Sequence, residues 1–270
     1  MTLLFFFVYK EEKKQKKKNF LRRNVVSPLG SAPLGAGPMF VLKQAAFYDM
    51  IIGRSSRLGL CGQTMTEEHS MATVKGTTAG REGVLSAVLI ELKNERFETM
   101  YQTLSDENGT FELCVPDGSY PFLTAVRDYG QRYLEYWAQN VPACGDLELH
   151  IRIDTLEVYG LHAFIVKGAA KALSIYFRPM SLEKFKAGET DIAPVLTEND
   201  ITVTVNGKKS RVYVVDRVRE YIGEEGRYLS AYLIRTSIPE GVKEWERIDI
   251  TVRGPEKHIG CATLFHQSFL

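Results

Sequence analysis

The sequence predicts an all-β protein: two tandem antiparallel β-sandwich modules preceded by a poorly structured N-terminal extension. Three observations carry this expectation. Apolar residues alternate with polar ones along short segments, the period of a strand with one buried face. Tight-turn signals recur between those segments. Few stretches show the 3.6-residue period of an amphipathic helix.

The segment from Ser105 to Tyr120 shows the pattern most clearly. Asp106-Glu107-Asn108-Gly109 is a turn signal, because Asn and Gly tolerate the positive φ of a sharp reversal. Thr110 to Val115 then alternates, with Phe111, Leu113 and Val115 on one side. Pro116-Asp117-Gly118 is a second reversal, so a strand is flanked by two turns. Upstream, Thr73 to Gly76 reads as a short first strand and Val84 to Leu92 as a mostly apolar, central one. Phe97 to Leu104 reads as its partner across Lys93-Asn94-Glu95. Ser119 to Val126, Arg132 to Gln139 and Leu147 to Ile153 complete seven strands, the count of a two-sheet sandwich. In the last of these His150 falls on the polar face.

A second module is expected from Thr155. Leu156 to Lys167 and Leu173 to Phe177 are strand-like, and Arg178-Pro179 is expected to break the pattern. Glu183 to Ala187 reads as one helical turn and Asp191 to Glu198 as a loop. Ile201, Val203 and Val205 alternate up to Asn206-Gly207, a hairpin signal, with a return strand over Arg211 to Asp216. Arg227 to Ser237, Arg247 to Arg253 and Cys261 to His266 are further strands. The charges between Arg217 and Arg227 read as a solvated hairpin tip. This half is expected to be immunoglobulin-like or jelly-roll-like.

The run T-x-S-D-E-N-G-T-F-E-L-C-V-P-D-G-S-Y, with Val74-Lys75-Gly76 and Val84 to Leu92 before it, resembles the carboxypeptidase regulatory-like domain. The resemblance spans about residues 72–153. It departs from the usual pattern at Leu104 and Ser105, where Thr is commoner. It implies a small transthyretin-like β-sandwich, and such modules occur on many unrelated proteins. It does not carry peptidase activity, because the remaining chain is far shorter than a zinc carboxypeptidase catalytic domain. Two enzyme types share this topology. Intradiol dioxygenases hold iron through closely spaced histidines, whereas His150 and His162 lie far apart here. Transthyretin-like hydrolases end in Tyr-Arg-Gly-Ser, whereas this chain ends His-Gln-Ser-Phe-Leu.

The chain has 270 residues, 44% apolar and 25% charged, with a formal net charge of +1. That balance argues against a dedicated nucleic-acid binder. The charge is asymmetric: residues 1–70 carry a net +6 and the rest −5. Residues 1–70 do not read as a domain. The apolar run Leu3 to Val8 is shorter than the ~20 residues of a membrane span. It precedes the basic run Lys10 to Lys18, the reverse of a secretory signal. Ser27 to Pro38 reads as a linker and Phe40 to Ile52 as a short amphipathic helix. Two readings stay open for this extension: a disordered basic tail, or a start codon assigned too early, with Met71 the true start. With no export signal visible, the cytoplasm is the default compartment.

Four cysteines stand at Cys61, Cys114, Cys144 and Cys261. None forms C-x-x-C, so no zinc site is expected. Free buried thiols are expected, with a Cys114–Cys144 bridge left open. No phosphate loop, G-x-S-x-G elbow or H-E-x-x-H motif is present. No cofactor, metal or catalytic residue is therefore expected. Asp106 and Asn108 are explained by the turn they make. The remaining candidates are aromatic: Tyr129, Tyr133 and Trp137, with Trp245 near the loop Glu240 to Glu246. Tyr133, Glu135 and Trp137 would share one side of an extended strand, and exposed rings can stack on sugars. Core packing explains the same rings. The expected function is a non-catalytic structural or protein-interaction module, with carbohydrate binding through Tyr129, Tyr133 and Trp137 as the alternative. An enzyme of the transthyretin-like or dioxygenase-like type is a remote one. The expected partner is a protein or a glycan, with no nucleic acid and no membrane span.

Overall fold

A computed structural model describes residues 70–166, 172–221 and 228–266. The linker, helix and early-start readings of the N-terminal extension lie outside these residues, as do Lys167 and the tip of the charged hairpin. The described residues are nearly all strand, as expected, and form three sheets.

The first strand, β1, runs from Met71 to Gly80, 10 residues where four were expected. It is held on both sides. β5 (Thr110–Pro116) pairs with it antiparallel, and β8 (Asp146–Arg152) pairs with it parallel. The parallel direction of β8 departs from the expected antiparallel arrangement. Gly76 sits against β8, where a Cβ would lie 1.8 Å from the Leu149 carbonyl oxygen. Glycine is therefore required at this close approach.

The expected single strand over Val84 to Leu92 is two strands in different sheets. β2 (Gly83–Val84) pairs with β1, and β3 (Leu89–Lys93) belongs to another sheet. The chain changes sheet at Ala87, whose φ is 53°. Ser105 stabilises the crossing, donating from Oγ to the Leu85 carbonyl and accepting from the Val88 N–H.

β4 (Thr99–Leu104) starts later than expected, because Phe97 takes a positive φ of 63° in the turn. The Asp106 turn forms as read. Its carboxylate accepts from the Asn108 and Thr110 N–H groups, and Gly109 has a φ of 72°. β6 covers Gly118–Val126. β7 covers Tyr136–Ala143, four residues later than expected. The cause is a turn in which Asp128 and Gly130 both take positive φ and delay the extended backbone.

In the second half β9 (Leu156–Phe164) pairs with β10 (Ala172–Ser181). β10 continues through Arg178-Pro179, where a break was expected. Proline is tolerated there because β10 leaves its other neighbour after Phe177, and a bulge falls between Tyr176 and Arg178. A short helix, α1 (Leu182–Lys186), follows, with Ser181 Oγ accepting from the Lys184 N–H. β11 (Ile201–Val205) turns at Asn206-Gly207, both with positive φ, as the hairpin signal requires. The return is shorter than expected. β12 (Lys208–Ser210) spans three residues, and β13 (Val212–Tyr221) continues in a different sheet. β14 (Tyr228–Ser237), β15 (Arg247–Arg253) and β16 (Ile259–Phe265) complete the fold.

Beside a small cluster of Leu134, Met180, Leu182 and Ile192, two large apolar clusters form most of the interior. One gathers Val74, Ile90, Phe111, Leu123 and Ile151, and the other Val158, Phe177, Val203, Ile234 and Ile250. A single eight-stranded sheet runs behind both, in the order β12-β11-β15-β16-β7-β6-β3-β4. Its two halves join where β16 pairs parallel with β7, through Ala262 with Trp137 and Leu264 with Gln139. Tyr136 crosses this seam and donates from its hydroxyl to Thr263 Oγ1 at 2.7 Å. Asp154, buried between the halves, accepts from the Ile259 N–H at 3.1 Å and from the Thr155 N–H at 2.8 Å. His258 lies beside it, with Nδ1 2.7 Å from Thr155 Oγ1.

Candidate functional site

The β3-β6-β7 part of the large sheet has two unlike faces. Ile90, Leu92, Leu123, Ala125, Tyr136 and Ala138 point into the first core. By the period of two, Glu91, Lys93, Phe122, Thr124 and Trp137 stand on the other face. Register places Glu91 beside Thr124 and Thr124 beside Trp137. β9 supplies Glu157, which alternates with the core residues Leu156 and Val158.

These side chains meet. The Trp137 indole N–H donates to Glu157 Oε1 at 2.9 Å. Glu157 Oε2 accepts from the Glu135 backbone N–H at 3.4 Å and from the Tyr129 hydroxyl at 3.5 Å. Glu135 and Glu157 are 3% and 2% exposed, a degree of burial unusual for two neighbouring carboxyls. Burial pushes the Glu157 carboxyl up to about 8, with the Glu135 charge adding to the effect. Burial also raises Glu135 above the usual carboxylate range. Tyr129 is raised for the same reason, by burial and then by the charges of Glu157 and Glu135.

Three aromatic rings pack against Trp137. Trp137 lies 5.2 Å from Phe97, 6.1 Å from Phe122 and 5.2 Å from Tyr159, ring centre to ring centre. The Arg178 guanidinium stands 5.3 Å over the Tyr159 ring and hydrogen-bonds Glu220 Oε1 at 3.1 Å. Lys93 Nζ is held by Glu91 Oε2 at 2.7 Å and donates to Thr99 Oγ1 at 3.2 Å. Thr124 is fully buried, and its hydroxyl has no hydrogen-bond partner among the described residues.

The three aromatic candidates occupy different settings. Trp137 is 3% exposed, with its ring among Phe97, Phe122 and Tyr159. Tyr129 is half-buried and reaches Glu157. Tyr133 lies ahead of β7 and packs against the first core, under the Arg132 guanidinium at 5.7 Å. The structure thus brings Tyr129 and Trp137 together through Glu157 and leaves Tyr133 outside that group. Trp245 packs against His266 at 4.7 Å. Sequence reasoning placed Glu135 beside Trp137 but missed Glu157 and Thr124. A glutamate alternating with apolar residues signals a solvated face, and only the packing of the two halves buries this one.

Among the described residues no group of three or more His, Cys, Asp or Glu is placed to hold a metal. No described helix is long and apolar enough to cross a membrane. All three described cysteines are free thiols, but Cys114 and Cys144 are exposed where burial was expected, Cys114 because it alternates with Leu113 and Val115 on the outward face of β5, and Cys261 is half-buried.

No protein-family model matches the chain, and no curated protein matches it. Solved structures do. The major pilin subunit BcpA of Bacillus cereus is similar at 10% identity, over 72% of this chain and 67% of that one, with a TM-score of 0.25. A DUF3823 family protein from Parabacteroides merdae is similar at 13% identity, over 72% of this chain and 98% of that one, also at 0.25. The major pilin SpaD of Corynebacterium diphtheriae is similar at 8% identity, over 75% and 66%, at 0.24.

Proposed function

We propose that the chain is a non-catalytic β-sandwich protein acting as a structural or protein-interaction module, with residues 72–153 forming a carboxypeptidase regulatory-like domain. The observation that supports this reading most is the open end of the eight-stranded sheet. β4 is its last strand and pairs with β3 alone among the described residues. Its free edge leaves a row of backbone N–H and C=O groups able to accept another strand. Met100 and Leu104 are 49% and 60% exposed along it, a surface that a partner strand would cover. Affinity capture from the native source tests this. One fixed partner is expected in constant ratio, lost when Gln102→Pro blocks the edge while circular dichroism is unchanged. Capture unaffected by that substitution contradicts the β4 edge. Hydrolysis or oxygen uptake that co-purifies with the protein contradicts the non-catalytic reading.

Carbohydrate binding is the second reading, and it rests on Tyr133 and Tyr129, because Trp137 has its ring covered by three others. Binding on a glycan array that Tyr133→Ala abolishes, with the fold intact, favours it over strand addition.

A further inference from the structure

We propose that one end of the β13-β14-β10-β9 sheet binds the surface of an anionic bilayer, with Phe164, Ile165 and Val166 entering the headgroup region. This end belongs to a different sheet from β4, and the inference does not depend on strand addition there.

Two features define the partner. The first is exposed apolar surface. Phe164 closes β9, and Ile165 and Val166 lead out of it. The three are 46%, 49% and 52% exposed, whereas Ala163 before them packs against the second core. Single exposed apolar residues are ordinary, but a run of three calls for a partner. Consecutive side chains leave an extended chain on opposite sides. One flat protein face would therefore cover only part of this run, whereas a bilayer surrounds it. The second feature is charge. Register runs from Phe164 to Ser174, from Ser174 to Arg235 and from Arg235 to Val214, so one row across the sheet joins the apolar end to an exposed arginine. Arg211 is exposed at the same end: its carbonyl accepts from the Ser237 N–H, and Ser237 pairs with Ala172. Lys208 and Lys209 precede it and are also exposed. No acidic residue occurs in 161–166, 172–177, 208–215 or 232–238. Glu240 comes next along the chain, and Lys208 Nζ donates to its carbonyl oxygen at 3.1 Å. The sequence joining Val166 to Ala172 is Lys-Gly-Ala-Ala-Lys, with two lysines and no acid. Tyr213 is 41% exposed beside Thr236, whose carbonyl takes its hydroxyl hydrogen bond, and such rings favour the membrane–water boundary. Apolar side chains ringed by basic ones match acyl chains beneath anionic headgroups.

The test uses full-length protein carrying Ile165→Trp and vesicles of phosphatidylcholine with brominated acyl chains, made with or without phosphatidylserine. With phosphatidylserine, the emission of the added ring is expected to shift to the blue and to be quenched by the bromolipid. The unsubstituted chain is expected to show neither change. Arg211→Gln together with Arg235→Gln is expected to weaken vesicle binding at least about tenfold. The basic run of the leader, with six lysines between Lys10 and Lys18, also attracts anionic lipid. A second form with those six changed to glutamine separates the two, and it is expected to keep the quenching at position 165. Loss of quenching in that form overturns the proposal, as does vesicle binding with no quenching, or equal quenching without phosphatidylserine. Sedimentation with vesicles needs no added ring: Phe164→Ser is expected to weaken binding at least about tenfold, and unchanged binding overturns the proposal. A protein captured from native extract and lost with Phe164→Ser, in the absence of vesicle binding, overturns it in favour of a protein-docking end.

Discussion

The Trp137 indole N–H donates to Glu157 Oε1 at 2.9 Å, tying β7 of the first core to β9 of the second. Replacing Trp137 by Phe keeps an aromatic ring and removes the donor. Glu157 Oε1 then loses its donor in a buried site, at a cost of about 1–3 kcal/mol. Urea denaturation is expected to show that loss. In a double-mutant cycle with Glu157→Leu the two substitutions are expected to be non-additive, since each removes the same bond.

Stability is expected to depend on pH through the same carboxyl. Burial raises Glu157 to about 8 in the folded protein, against 4.5 for the exposed group. Between those values the folded state holds a proton that the unfolded state has lost, so stability falls as pH rises. The contribution is complete below about pH 4.5 and gone above about pH 8. Glu135, raised in the same direction, adds to the trend. Denaturation midpoints at pH 5 and pH 8 measure it, and Glu157→Gln is expected to flatten the difference.

Gly76→Val is expected to be among the most damaging single substitutions in the first core. A Cβ at this position would lie 1.8 Å from the backbone oxygen of Leu149, so β1 and β8 must separate. The loss is expected to exceed the ~1–3 kcal/mol of ordinary overpacking. A large fall in thermal midpoint checks this. Gly118→Ala is the control, since nothing lies within 4 Å of its Cβ position.

Asp154→Ala removes the acceptor for the Ile259 and Thr155 N–H groups where the two cores meet. A loss of about 2 kcal/mol or more is expected, from ~1–3 kcal/mol for each buried group left unsatisfied. Hydrogen exchange at Ile259 is expected to quicken more than exchange at Val203, which lies inside the second core.

The local part of this fold was legible in the sequence. Phe111, Leu113 and Val115 alternate and lie buried, and Asn206-Gly207 takes the positive φ pair its hairpin needs. Relations between distant segments were not. Nothing in Leu147 to Ile153 sets its direction, and β8 runs parallel to β1. The apolar run through Val84 to Leu92 hides a change of sheet at Ala87, because both sheets bury the same kind of side chain. Pro179 read as a break, but a strand can carry it where its neighbour has ended. The candidate site was half visible. Trp137 and Glu135 were placed together by their spacing, whereas Glu157 acquires its setting only when β9 packs beside β7.

The measurement that tests this account most directly is calorimetric unfolding of the intact chain. The β7–β16 pairing makes one sheet serve both cores, so a single transition is expected, with calorimetric and van't Hoff enthalpies in agreement. Two separate transitions, each with the enthalpy of one half, would contradict it.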